Sequence, residues 1–136
     1  MLYYTSLLFI SNIIHSSLVC CYVGEYMTIL LTCSSILHHS KYYDNYVGKK
    51  IVYCTDVTLV CTVYTYTLYQ IYILNAMYLT RITLLIATIL GILTVFFEKY
   101  LSNWRFYHGF FHLFGSITGH LVLLEYPPNK CCNCIS

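Results

Sequence analysis

Two histidines four residues apart, His108 and His112, are the side chains of this sequence best placed to do chemistry. On an α-helix, residues i and i+4 lie on the same face, so both imidazoles can point toward one ligand. Neutral imidazole is the commonest metal-binding side chain in proteins. The pair is therefore typical of half of a metal site. The alternative is that both rings pack as aromatic groups and hydrogen-bond to neighbouring helices.

A second pair of histidines, His38 and His39, and one acid, Asp56, could complete such a site. Adjacent helical residues point about 100° apart, so only one of His38 and His39 can face the interior of a helix bundle. A serine precedes each of them by four residues, so either choice puts a serine and a histidine on one face. A charge inside a membrane costs at least about 2.5 kcal/mol, so we expect Asp56 to be paired, protonated or functional. The alternative is an interfacial ion pair between Asp56 and Lys50.

The composition indicates that these side chains lie in a membrane. Of the 136 residues, 59% are hydrophobic and 9% are charged, and the mean hydropathy is +0.67, which is too apolar for a soluble domain of this size. The net charge is only +2 and the basic residues are scattered, so nothing indicates nucleic-acid binding. A span needs about 20 apolar residues. We therefore expect an all-α, polytopic transmembrane helix bundle with about five spans.

The predicted spans cover about 2–23, 26–40, 51–70, 79–97 and 106–124. Together they form one transmembrane domain over residues 1–126, and a cysteine-rich tail follows over 127–136. The first span carries no charge before residue 24 and lacks the basic start of a cleaved signal peptide, so we expect it to be retained.

The number of crossings decides whether the polar groups meet. A single helix over the apolar segment 51–80 would be about 45 Å long, too long for one span, so we divide it at a tyrosine-rich interfacial turn containing Asn75. With this division both histidine pairs and Asp56 lie near the same side of the membrane. Five of the seven basic residues lie on that side, which the positive-inside rule identifies as cytosolic. Those five are Lys41, Lys49, Lys50, Lys99 and Arg105, against Arg81 and Lys130 on the other side.

The remaining polar and small residues have more ordinary explanations. We expect His15 and His120 to be structural, and the small residues of 115–119 to let helices pack closely within the bundle rather than between two copies. Eight cysteines do not make a disulfide framework here, because those within spans behave as small hydrophobic residues. The three cysteines of the tail could be acylated, disulfide-bonded or metal-binding, and their spacing does not choose. Acylation conflicts with the predicted orientation, which puts the tail outside.

Three short segments, in order along the chain, resemble signatures of the CREST superfamily of membrane proteins. They are Ser35-Ile36-Leu37-His38-His39, Thr55-Asp56 and His108-Gly109-Phe110-Phe111-His112. The superfamily includes alkaline ceramidases, the progestin and adipoQ receptors and the myomaker-like proteins. The myomaker-like branch is the most similar, through the doubled histidine, the run Phe96-Phe97-Glu98 and the tail Cys131-Cys132-Asn133-Cys134. The resemblance covers most of residues 26–136.

This resemblance implies an intramembrane zinc site with His39, His108 and His112 as ligands. Ser35 and Asp56 would support the metal-bound water, and Asp56 would orient it or shuttle its proton. Where the chemistry of the superfamily is known, it is hydrolysis of a lipid amide. Zinc with three protein ligands and an open fourth position is suited to that reaction.

The chain departs from the superfamily in size. Members commonly have seven spans, and most of the loss in this chain falls between Asp56 and His108, where it could remove a lipid-binding cavity. Two functions therefore follow. The first is a zinc-dependent hydrolase that acts on a membrane lipid such as a ceramide. The second is a non-enzymatic membrane protein for membrane remodelling, fusion or reception, in which the histidine cluster or its metal is structural.

Overall fold

The computed structural model describes residues 5–19, 21–39, 46–97, 100 and 102–125. This part of the chain is helical and contains no strand, as the all-α prediction requires. Its five helices are α1 (Leu8–Leu18), α2 (Tyr22–His39), α3 (Tyr46–Ile73), α4 (Tyr78–Phe97) and α5 (Trp104–Leu124). The cysteine-rich tail lies outside the described residues, and so does Glu98 of the Phe96-Phe97-Glu98 run.

Two of the helices are long and apolar enough to cross a membrane. They are α3, over Gly48–Ile73, and α4, over Tyr78–Phe96. α2 and α5 have 18 and 21 residues, but serine, threonine and histidine make up a larger share of them, and α1 has only 11 residues. The structure therefore confirms the all-α class and shows two helices that could span a membrane. The count of five crossings remains a proposal.

The first predicted span, over residues 2–23, differs from the structure. α1 ends at Leu18, and the backbone N–H of Cys21 donates to the carbonyl of Ser16 at 2.8 Å, a bond common at helix C-termini. The hydroxyl of Ser17 then donates to the carboxylate of Glu25 at 2.6 Å, which ties the end of α1 to the first turn of α2. Hydropathy did not reveal this turn because residues 2–23 carry no charge, and the stabilising carboxylate of Glu25 lies beyond the apolar segment.

Asn75 lies at the turn between α3 and α4, inside the segment that the length argument divides. Its φ of 49° places it in the left-handed region, which asparagine tolerates better than most residues. The N–H of Ala76 donates to the carbonyl of Ile71 at 3.0 Å, and that of Asn75 to Tyr72 at 3.3 Å. This is the Schellman pattern of a helix C-terminus. The guanidinium of Arg81 also donates to the Asn75 side chain, at 2.9 Å.

The first turn of α4 is capped by Glu125, which directly follows α5. The Glu125 carboxylate accepts the backbone N–H of Met77 at 2.8 Å and the hydroxyl of Thr80. The bond to Met77 satisfies a backbone N–H that the start of the helix leaves without a partner. They join the N-terminal end of α4 to the C-terminal end of α5.

α5 is the central helix of the described structure, because it packs against α4, α1 and α3. α2 packs against α1 and α3. The interface of α1 with α5 is polar: buried Asn12 and Ser116 lie there, and the Ser116 hydroxyl donates to the backbone carbonyl of Leu8 at 3.2 Å. Gly115 faces Phe9 and Gly119 faces Asn12, so these glycines pack within the chain.

Candidate metal centre

Three imidazoles from two helices meet where the end of α2 approaches the start of α5. His39, His108 and His112 each offer one ring nitrogen, and these nitrogens lie within 4.8 Å of one another. The ring centroids are 5.0 Å apart for His39 and His108, 5.5 Å for His39 and His112, and 4.7 Å for His108 and His112. In a tetrahedral site with Zn–N bonds of about 2.0–2.1 Å the ligands lie about 3.3–3.4 Å apart, so small side-chain rotations complete the geometry.

Local sequence places each ligand. His108 and His112 lie in the first turns of α5 and share a face because four residues separate them. His39 is the last residue of α2, and it rather than His38 faces the pair on α5. The ring of His38 instead contacts Tyr53 of α3, at 5.6 Å between centroids. The choice that the sequence left open is thus made by how α2 is rotated in the bundle.

The surroundings of the three rings suit a metal ligand set. His112 is only 3% exposed, and His39 Nε2 is buried without a hydrogen-bond partner. A buried polar atom left without a partner costs free energy, and a bound metal would remove that cost. Aromatic rings of Trp104 and Phe111 lie beside His108, each 5.9 Å from it between centroids. Within the part of the chain that the structure describes, no fourth histidine, cysteine or acid joins the group.

Two residues of the N-terminal segment contact His112 and were missed by the sequence analysis. The hydroxyl of Thr5 and Nδ1 of His112 share a hydrogen bond at 3.2 Å, and the ring of Phe9 lies 5.6 Å from that of His112. A separation of 107 residues between Thr5 and His112 leaves no local pattern to find. A Cβ on Gly109 would make an ordinary 3.5 Å contact with the Thr5 methyl group, so this glycine does not mark the contact either.

Ser35 is buried near the end of α2, but its hydroxyl is already engaged. It lies 3.0 Å from the hydroxyl of Ser6, and the two share a hydrogen bond. The predicted role of Ser35 in supporting a metal-bound water would therefore compete with this bond.

Asp56 lies outside the group of three ligands. It is 8% exposed on α3, interacts electrostatically with His38 and lies beside Ser34. Asp56 Oδ1 and the Ser34 hydroxyl are both buried; the two side chains lie close enough to interact, but neither of these atoms makes a hydrogen bond of ordinary geometry with a described residue. Lys50, the partner in the alternative interpretation, makes no ion pair with it among these residues. Asp56 is therefore buried and forms no ion pair with a described basic residue at the surface. His38 lies between it and the group of three histidines.

His15 and His120 form a separate pair between α1 and α5. Their Nδ1 atoms are 2.8 Å apart, and Nε2 of His120 shares a hydrogen bond with the Ser11 hydroxyl at 2.9 Å. The rings are stacked, with centroids 5.1 Å apart. Each imidazole thus has a partner, in keeping with the structural role expected for both.

A cavity of about 70 Å³ lies between α1, α2, α3 and α5. Apolar side chains such as Leu31, Val63 and Val122 line it together with the buried amide of Gln70. Phe9 forms part of the cavity wall, and its ring also contacts His112. The cavity therefore lies next to the group of three histidines, with the Phe9 ring between them.

No known protein family, curated protein or solved structure matches the chain, so its function has to be inferred from the geometry of the site.

Proposed function

We propose that this chain is a multi-pass membrane protein with an intramembrane zinc site, and that it hydrolyses an amide bond of a membrane lipid. The observation that carries the proposal is the convergence of His39, His108 and His112 within 4.8 Å. Imidazole suits zinc, copper, iron and nickel. We propose zinc for two reasons. A tetrahedral site with three nitrogen ligands and an open fourth position is typical of zinc, and the resemblance to the CREST superfamily also favours it.

The size of the ligand set favours catalysis over a purely structural metal. Structural zinc sites almost always have four protein ligands, whereas catalytic ones have three and keep the fourth position open. Within the described residues the group has three members. A zinc ion held this way supplies an activated water and polarises a carbonyl group.

The buried acid supports the same proposal. Asp56 is the only described acid that is buried, and one of its oxygens lacks a hydrogen-bond partner. It interacts electrostatically with His38, whose ring lies 4.8 Å from that of His39. We assign Asp56 the task of accepting and returning a proton at the edge of the site. Ser35 has the weaker support, because its hydroxyl is bonded to Ser6.

The lipid environment is argued from the surface of the helices. One face of α4 exposes Leu85, Ile89, Ile92 and Phe96, which recur at helical spacing and would contact acyl chains. We propose that α1, α2 and α5 enter the membrane beside α3 and α4, with the histidines near the cytosolic leaflet. The cavity that meets the site at Phe9 has space for several water-sized groups and could take part of a slim apolar chain.

Metal content tests the proposal most directly. Zinc is measured by mass spectrometry on detergent-purified protein, beside the double variant His108→Ala, His112→Ala. The matched control is His15→Ala, His120→Ala, which also removes two histidines but none of the three ligands. We expect near-stoichiometric zinc in the wild type and the control, and loss of zinc in the first variant. A folded wild type without zinc would contradict the proposal.

Turnover is then tested with a panel of ceramides and related lipid amides. We expect Asp56→Asn to keep zinc and lose hydrolysis, because the substitution removes the proton acceptor without removing a ligand. An inactive wild type at full zinc occupancy would refute the hydrolase and leave the metal site standing.

A second candidate function is a structural metal in a non-enzymatic membrane protein, for membrane remodelling, fusion or reception. Helix packing favours it: α5 packs mainly against α4 and α1, and α2 against α1 and α3. A metal held by His39 and by the pair on α5 would therefore link two helices that otherwise contact each other little. This function predicts that His112→Ala lowers the thermal stability of the protein, and that the zinc-loaded wild type turns over none of the lipids.

A further inference from the structure

We propose that Thr5 is a positioning residue of the metal centre: its hydroxyl accepts the Nδ1–H of His112 and so commits that ring to bind metal through Nε2. The inference rests on the proposed zinc site and adds to it a residue outside the ligand set. The observation behind it is the 3.2 Å hydrogen bond between the Thr5 hydroxyl and His112 Nδ1, beside which the backbone of Thr5 also lies within hydrogen-bonding reach of the ring.

The argument starts from the chemistry of a neutral imidazole. The ring carries one proton, and only the nitrogen without it can bind a metal. When the metal binds Nε2, the proton of the neutral ring is on Nδ1. A hydroxyl can donate or accept, so the Thr5 hydroxyl then accepts this Nδ1–H. Metal-binding histidines in proteins usually donate their other N–H to such a partner, and removing the partner typically weakens metal binding about 10–100-fold.

Thr5 lies over Gly109 of α5. Its methyl carbon is 3.5 Å from where a Cβ on Gly109 would be, so the side chain faces the turn of α5 between His108 and His112. A β-branched side chain has few rotamers, and contact on its methyl group directs the hydroxyl.

Contacts next to Thr5 hold the segment against α5. The Phe9 ring lies against His112 at 5.6 Å with a tilt of 50°, and the carbonyl of Leu8 accepts the hydroxyl of Ser116. α1 and the residues just before it supply no ligand, yet they restrict how the buried His112 ring can turn. The N-terminal segment therefore acts on the metal centre through one imidazole.

Two variants separate the hydroxyl from the shape of the side chain. Thr5→Val keeps the branched shape and removes the hydroxyl, and Thr5→Ser keeps the hydroxyl. Ser11→Ala is the matched control, because it removes a hydroxyl from α1 that bonds His120 rather than a ligand. If Thr5→Val does not fold, Thr5→Ala removes the hydroxyl without adding a methyl group.

Zinc affinity is measured by competition with a chelator on detergent-purified protein. We expect binding about 10–100-fold weaker in Thr5→Val, and binding within a few-fold of wild type in Thr5→Ser and Ser11→Ala. Equal affinity in Thr5→Val and wild type would overturn the inference and leave the zinc site standing.

The Nδ1 proton of His112 is measured separately on zinc-loaded protein, from its rate of exchange with water. We expect slower exchange in the wild type than in Thr5→Val, because the variant lacks the hydroxyl that accepts this proton. Equal exchange rates in the two proteins would overturn the inference and leave the zinc site standing. A wild type without zinc affinity would refute the proposed function and this inference with it.

Discussion

Replacing Gly115 or Gly119 of α5 by alanine, which adds one methyl group, should have opposite effects on the stability of the protein. A Cβ on Gly119 would lie 2.7 Å from Nδ2 and 3.3 Å from Cγ of Asn12, closer than packed atoms allow. A Cβ on Gly115 would lie 3.7 Å from the Phe9 ring, an ordinary contact. Both glycines are in the same helix and face α1, so Gly115→Ala is a matched control for Gly119→Ala.

Asn12 cannot yield by rotating its amide. It is 4% exposed, its Oδ1 accepts the hydroxyl of Ser116 at 3.4 Å, and that oxygen is itself 3.7 Å from the added Cβ. α1 must therefore move away from α5, and overpacking of this kind costs about 1–3 kcal/mol. Replacing glycine by alanine in a helix also gains about 1 kcal/mol, and this gain is the same in both variants.

The difference between the variants therefore isolates the clash. Gly119→Ala should be less stable than Gly115→Ala by about 1–3 kcal/mol, which lowers its Tm by roughly 3–15 °C for a chain of this size. Gly115→Ala should match or exceed the wild type. Thermal unfolding in detergent can be followed by the fluorescence of Trp104, the single tryptophan, which lies at the start of α5.

Either of two results would refute this reasoning. Equal stability of the two variants at or above that of the wild type would mean that α1 does not pack on Gly119. Equal destabilisation of both would mean that the glycine face meets a different surface, such as a second copy of the chain.

Three further outcomes follow from single contacts. Glu125→Ala removes the acceptor of two donors at the start of α4, so we expect a loss of about 1–2 kcal/mol and faster amide hydrogen exchange in the first turn of that helix; unchanged exchange would show that the cap contributes nothing. Asn75→Ala forces a left-handed φ on alanine and should lower the free energy of unfolding by about 1 kcal/mol, seen as a lower Tm, whereas Asn75→Gly should be close to neutral. His15→Phe leaves His120 without its 2.8 Å partner, so we expect a lower Tm with unchanged zinc content; loss of zinc would place this pair in the metal centre.

Part of this structure follows from local sequence alone. An apolar composition with few charges predicts helices, because a helix satisfies its own backbone hydrogen bonds without water. The length of the segment 51–80 requires a turn, and the structure has one at Asn75. The four-residue spacing of His108 and His112 puts both on one face whatever surrounds the helix. Each of these features depends on residues close together in the chain.

The group of three histidines as a whole depends on packing between distant segments. The selection of His39 over His38 requires the rotation of α2 about its axis, which its contacts with α1 and α3 set. The contact of Thr5 with His112 requires α1 to pack on α5 as well as on α2. A sequence specifies which residues share a helix face, but the relative rotation of two helices results from all their side-chain contacts at once. For that reason the four-residue spacing identified two of the three histidines, whereas the tertiary structure decided that His39 rather than His38 joins them and brought Thr5 against His112.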